Sequence, residues 1–263
     1  MHGLCSSIWR RHIIFAFLIS IISGSAVFPL VASAQSSSDD LLAELIQKNT
    51  VARGGKKAIE AVQSLEVELT ITEPTFVVDG IYRASRDGKM RIDVFAEGER
   101  VFSEGYNDSG GWQWLGGESE GIAMSREGEL AVKHGIVTNL YGLHEMAGLG
   151  HELVFKGREE VDHVNHWVID LVFDDGFVSR LYLDPESFLV VLTRVDTALH
   201  PDVDPEVRRF ETRSFDFRQV SGVLKAFQEA KIDMDSREQV QITLIKTIII
   251  NPVLDPAVFD RPT

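Results

Sequence analysis

Histidine beside carboxylate is a common start for a metal or acid–base site, and the chain offers two such places. His144-Glu145-Met146-Ala147-Gly148 begins like a zinc-protease helix, but Gly148 stands where the second histidine is required. Asp162, His163 and His166 offer three ligand types in a hairpin, yet on a strand His163 and His166 point to opposite faces. Asp202-Val203-Asp204-Pro205-Glu206 and Asp233-Met234-Asp235 lack the glycine and terminal glutamate of a calcium loop and read as surface acids. No Gly-x-Ser-x-Gly elbow occurs. The residues therefore assign no catalytic group, metal or cofactor. A metal-dependent hydrolase using His144, His163 or His166 is the competing reading.

The elements around these residues belong to a sheet protein. Leu65, Val67, Leu69 and Ile71 alternate with Glu66, Glu68, Thr70 and Thr72, which only a half-buried strand explains. Met90, Ile92 and Val94 repeat the pattern in Lys89–Phe95, and Asp87-Gly88 and Glu97-Gly98 supply the turns of an antiparallel meander. Gly111-Trp112-Gln113-Trp114-Leu115 is a short strand whose two rings suit either the mouth of an apolar groove or plain core. Strands resume at Glu152–Lys156, Asp162–Phe173, Val178–Asp184 and Phe188–Asp196; His200–Glu206 is a solvated loop, and Val207–Val220 and Glu238–Ile250 are the last long strands. In the final strand Val240, Ile242 and Leu244 oppose Gln239, Gln241 and Thr243.

Two stretches are helical. Leu41, Leu42, Leu45, Ile46 and Val51 predict an amphipathic helix from Asp40 to about Ala52, capped by Ser38 or Asp39. Gly54-Gly55 stops it before a second short helix, Lys56 to Gln63; as a phosphate-cradling loop it would need a preceding strand. Between Ser125 and Gly150, apolar residues recur at three and four, interrupted by Gly135 and Gly142. This helical insertion must cover something, and the oily face of the meander is nearest.

Residues 1–34 read as a secretory signal: Arg10 and Arg11 precede an apolar run from Ile13 to Val31, and Ala32-Ser33-Ala34 suits cleavage before Gln35. An uncleaved membrane anchor is the alternative. The single cysteine, Cys5, precedes that run, so residues 35–263 form one domain with no thiol, which suits an oxidising compartment. That domain holds 24 basic and 40 acidic side chains, a charge of −16, which disfavours nucleic acid as a partner.

Three places give the chain a resemblance: Ala52-Arg53-Gly54-Gly55 leading through Ile59 and Val62; Gly105-Tyr106-Asn107-Asp108 with Gly111-Trp112-Gln113-Trp114; and Ile249-Ile250-Asn251-Pro252-Val253-Leu254 with Phe259 and Pro262. In these it resembles the LolA/LolB-like superfamily, the periplasmic outer membrane lipoprotein-sorting proteins. The resemblance implies an α+β fold, a curved antiparallel sheet forming an unclosed half-barrel with helices covering its concave face. It implies a non-enzymatic periplasmic carrier that holds acyl chains of a lipid or lipidated protein, with donor and acceptor membrane proteins as partners. An envelope sensor or assembly module with the same fold is the second reading. The positions expected to line the groove are Leu69, Ile71, Met90, Ile92, Trp112, Trp114, Leu140, Ile242 and Leu244. An arginine governs lid movement in such carriers, and Arg86, followed here by Asp87 rather than proline, is the gating candidate.

Overall fold

The computed structural model describes residues 30–262. Helices α1 (Leu30–Ala52) and α2 (Lys56–Glu60) lead into β1 (Ser64–Glu73), β2 (Phe76–Ser85), β3 (Lys89–Ala96), β4 (Glu99–Asn107), β5 (Gly110–Leu115) and β6 (Ile122–Ala123). Helix α3 (Arg126–Leu140) and a 3-10 turn (Leu143–Leu149) follow. Then come β7 (Glu152–Val161), β8 (Val164–Val172), β9 (Val178–Leu183), β10 (Val190–His200), β11 (Asp204–Val220), β12 (Val223–Asp233) and β13 (Gln239–Ile250), and a 3-10 turn at Pro256–Phe259.

All 13 strands form one antiparallel sheet in the order β6-β5-β4-β3-β2-β1-β13-β12-β11-β10-β9-β8-β7. The sheet is not closed, so β6 and β7 are its edges, and α3 with the 3-10 turn carries the chain from one edge to the other across the inner face. Register shifts at Glu68/Leu69, Val94/Phe95, Phe155/Gly157 and Val190/Leu192 mark bulges, which bend a sheet by adding a residue to one strand only. This is the unclosed α+β half-barrel expected from the sequence.

Two cores sit between sheet and helices. In one, Val132, Ile136 and Leu140 of α3 and Ile59 of α2 pack on Leu65, Val67, Leu69 and Met90. In the other, Leu45 of α1 and Leu143 and Met146 of the 3-10 turn pack on Ile169, Leu171, Leu181 and Leu183. Asn251, at a φ of 54°, joins the chain's two halves: its Oδ1 accepts from the Gln63 and Ser64 amides at 2.7 and 3.2 Å, and its Nδ2 donates to the Ala61 carbonyl at 2.8 Å.

Several expectations change. The expected leader lies mostly outside the described residues, and α1 begins at Leu30, so Ser38 and Asp39 fall inside it rather than capping it. Gly135 does not interrupt α3, because tertiary packing of Val132 and Ile136 outweighs one glycine's cost. The loop expected at His200–Glu206 shrinks to a turn at 201–203, because β10 and β11 form a long hairpin whose ladder reaches His200 and Asp204. Strand β12 was not expected, since its inward side carries charge. Asp233 is buried, its Oδ1 accepting the Asp235 and Ser236 amides in the β12–β13 turn.

Gly54-Gly55 is the expected helix stop, with φ of 114° and 89°. A Cβ on Gly54 would lie 2.0 Å from the Gly222 carbonyl oxygen of the β11–β12 turn, so that position also permits a close backbone approach.

Candidate functional site

Cross-strand partners share a face, so the register decides which side chains look toward the helices. On β1 and β13, Leu65 faces Ile250, Val67 faces Ile248 and Leu69 faces Ile245, but Thr70 faces Leu244 and Thr72 faces Ile242. The bulge at Lys246 switches the face of β13 midway. Ile242 and Leu244 therefore lie on the outer face, Leu244 exposed, and do not line the groove. Trp112 pairs with Gly105, and Gly105 with Arg91, so Trp112 and Trp114 are also on the outer face. Trp112 is buried there beneath the C-terminal tail, donating from Nε1 to the Phe259 carbonyl at 3.1 Å. Trp114 donates to the Glu118 carbonyl and lies under the Arg100 guanidinium. Of the expected lining, Leu69 and Met90 are in the core beneath α3, Leu140 belongs to α3 itself and packs on them from above, and Ile71 and Ile92 are partly buried beside it.

The centre of the inner face is different. Lys225, Phe227, Glu229 and Lys231 alternate along the inner side of β12, between Thr212 and Ser214 of β11 and Gln241 and Thr243 of β13. These charged side chains are half-buried on the concave face, as are Tyr82 and Glu104 on the inner side of β2 and β4, and this partly open stretch of the face forms a shallow recess. Burial raises the Glu229 and Glu104 carboxyls, lowers the Lys231 ammonium and pushes Tyr82 up to about 12. The recess is thus amphipathic, apolar along β1–β3, with the Glu104 carboxyl on β4, and polar on the β11–β13 side, rather than wholly greasy.

Helix α3 roofs this recess and is pinned at three points. At its start, Ser125 Oγ accepts the Gly128 amide, and Asp202 from the tip of the β10–β11 hairpin accepts the Ser125 amide at 2.7 Å. These acceptors satisfy amides that a helix leaves free at its start. In its middle, His134 stacks on Phe177 with ring centroids 4.4 Å apart and lies 2.8 Å from Asp175 of the β8–β9 turn.

At its end, three cations from three elements hold successive carbonyls. Lys225 Nζ donates to Asn139 at 2.6 Å, Arg86 to Leu140 at 3.0 Å and Arg53 to Tyr141 at 3.0 Å. The last carbonyls of a helix have no partner of their own and carry partial negative charge, so cations there stabilise by about 0.3–1 kcal/mol each.

Arg86 does more. It pairs with both Glu145 carboxylate oxygens, at 2.6 and 3.2 Å, donates to the Ile59 carbonyl and lies 4.2 Å over the Tyr141 ring. One side chain in the β2–β3 turn therefore fastens α2, α3 and the 3-10 turn together. Burial acts to raise the Glu145 carboxyl, but the Arg86 hydrogen bonds and the Gly142 amide hold it below its ordinary value. Lys225 goes the other way: burial, with the charges of Arg53 and Arg86 nearby, pulls it down to about 7.

The fold does not assemble the three histidines. His163 is fully exposed in the β7–β8 turn, His166 is buried on the outer face near Tyr182, and His144 lies on the roof with Nδ1 3.3 Å from Thr50 Oγ1. Glu60, His144 and Glu145 do bring ligand atoms within 4.8 Å of one another, and line part of a pocket of about 300 Å³. Arg86 already occupies both oxygens of Glu145, so a divalent cation there would have to displace the guanidinium.

Comparison with solved structures agrees with this architecture. A LolA superfamily protein from Nitrosomonas europaea superposes with a TM-score of 0.56 at 12% identity, over 83% of this chain and 96% of the other. A domain from Vibrio parahaemolyticus described as an outer membrane lipoprotein-sorting protein gives 0.54 at 9% identity, over 82% and 95%. No protein-family model and no curated protein matches the sequence. The chain has a LolA-like fold.

Proposed function

We propose that this protein is a periplasmic carrier that takes up the acyl chains of a lipid or lipidated protein beneath α3, with Arg86 as the fastening that governs the lid. The single observation that carries the reading is the roof itself. The apolar side of the recess is covered in this conformation by Val132, Ile136 and Leu140 of α3, while the helix is secured to the sheet by polar contacts that can be made and broken. An acyl chain could replace those three side chains on the floor, removing its methylenes from water at about 0.8 kcal/mol each. Leu69, Ile71, Met90 and Ile92 would then contact the chain. Membrane proteins that donate and accept the cargo would be the partners.

Fluorescence titration of the delipidated protein with an alkyl-tailed dye tests this, with saturable uptake as the expected result. Arg86→Met, which removes the hydrogen bond from the β2–β3 turn to the Leu140 carbonyl of α3, is expected to change uptake severalfold at unchanged secondary structure. Absence of saturable uptake in both proteins would overturn the carrier reading.

A further inference from the structure

The carrier reading explains the apolar wall of the recess but leaves two charges on its floor without a role. Glu229 and Lys231 lie two residues apart on the inner side of β12, roughly 7 Å along the strand. Among the described residues, neither makes a hydrogen bond or an ion pair within 4 Å: Glu229 has Lys231 and Lys225 as its nearby charges, Lys231 has Glu229 and Glu73, and the Phe210 ring lies 5.9 Å from the Lys231 ammonium. Buried charges without a direct contact partner are costly, and proteins keep them paired or give them work. The groups beside them are also polar. Ser214 and Thr243 flank Glu229, and Thr212 and Gln241 flank Lys231, with Gln241 fixed by its hydrogen bond to Glu73. The opposite wall, from Leu69 to Ile92, is apolar.

We infer that this floor is a headgroup site, placing Glu229 against an ammonium and Lys231 against the phosphate of a zwitterionic amphiphile whose acyl chains lie on the β1–β3 wall. The inference rests on the carrier reading and names its ligand class. A zwitterion of this order supplies to each side chain a partner in direct contact. An anionic head satisfies Lys231 but meets Glu229 with like charge. An uncharged head leaves both with only their more distant charge neighbours. Burial raises the Glu229 carboxyl and lowers the Lys231 ammonium, with the neighbouring charges acting the other way on each.

The test is competition against the bound alkyl dye by dioctanoyl phosphatidylethanolamine, dioctanoyl phosphatidylglycerol and dioctanoylglycerol, which share chains and differ in head. The expected result is about tenfold tighter competition by the ethanolamine lipid than by either other. Glu229→Gln should bring the ethanolamine and glycerol phospholipids within twofold of each other, and Lys231→Gln should bring the ethanolamine lipid within twofold of dioctanoylglycerol. Glu229→Gln is nearly isosteric and Lys231→Gln puts a shorter uncharged side chain at a partly exposed position, so folded protein is expected, checked by thermal melting. Equal competition by all three lipids, or a preference that survives in both variants, overturns the headgroup site and leaves the carrier reading standing. Failure of every lipid to displace the dye, or of the dye to bind, removes the carrier reading and this site with it.

Discussion

Lys225 and Arg86 reach the same helix end. Lys225 is pulled down to about 7 by burial and by its cationic neighbours. Its folded value lies below the unfolded one, so the unfolded chain binds more protons between about pH 7 and 10.5. The stability of the native protein relative to Lys225→Met should therefore fall as pH drops from about 10 to 7 and then level off, measured by urea denaturation across that range. Arg86→Met should cost about 1–3 kcal/mol at pH 7, because it leaves the half-buried Glu145 carboxylate without its partner. Arg86 was named from the sequence only through the resemblance. Lys225, Glu229 and Lys231 were not, because a charged residue facing a recess looks, in sequence, the same as one facing solvent.

Helix α3 and the Gly54 turn carry predictions at the scale of elements. Gly135 sits in the interior of α3, and a Cβ there meets nothing within 4 Å, so Gly135→Ala should stabilise the protein by about 0.5–1 kcal/mol, read as a rise in Tm. If α3 must lift to admit cargo, the same substitution leaves its fastening intact and should not alter affinity for the alkyl dye. Gly54→Ala should do the opposite, costing about 3 kcal/mol or more, since it combines a positive φ with a collision against the Gly222 carbonyl. The insertion at Ser125–Gly150 was legible as helical from its apolar spacing. Strand β12 was not, because the period-two cue assumes an oily inner face and here that face carries Lys225, Glu229 and Lys231.

Across the whole molecule, the chain runs outward through β1 to β6, crosses the inner face as the roof formed by α3 and the 3-10 turn, and returns through β7 to β13, so the two ends of the sheet's sequence meet at its centre. The C-terminal tail then folds over the outer face, where Arg91 donates to the Val258 carbonyl and Trp112 to that of Phe259. Removing residues 252–263 should expose Trp112 and shift tryptophan emission to longer wavelength without affecting uptake into the recess on the other face. The alternation of Leu65–Thr72, the turn glycines and the helical spacing after Ser125 determined by themselves an antiparallel sheet with helices over one side, because side-chain periodicity follows backbone geometry locally. Which face each later strand turns inward was decided only in three dimensions: one extra residue at Lys246 reverses the sense of β13, and pairing with Gly105 sends Trp112 outward. A bulge or a pairing partner is a relation between distant segments, and local spacing holds no record of it.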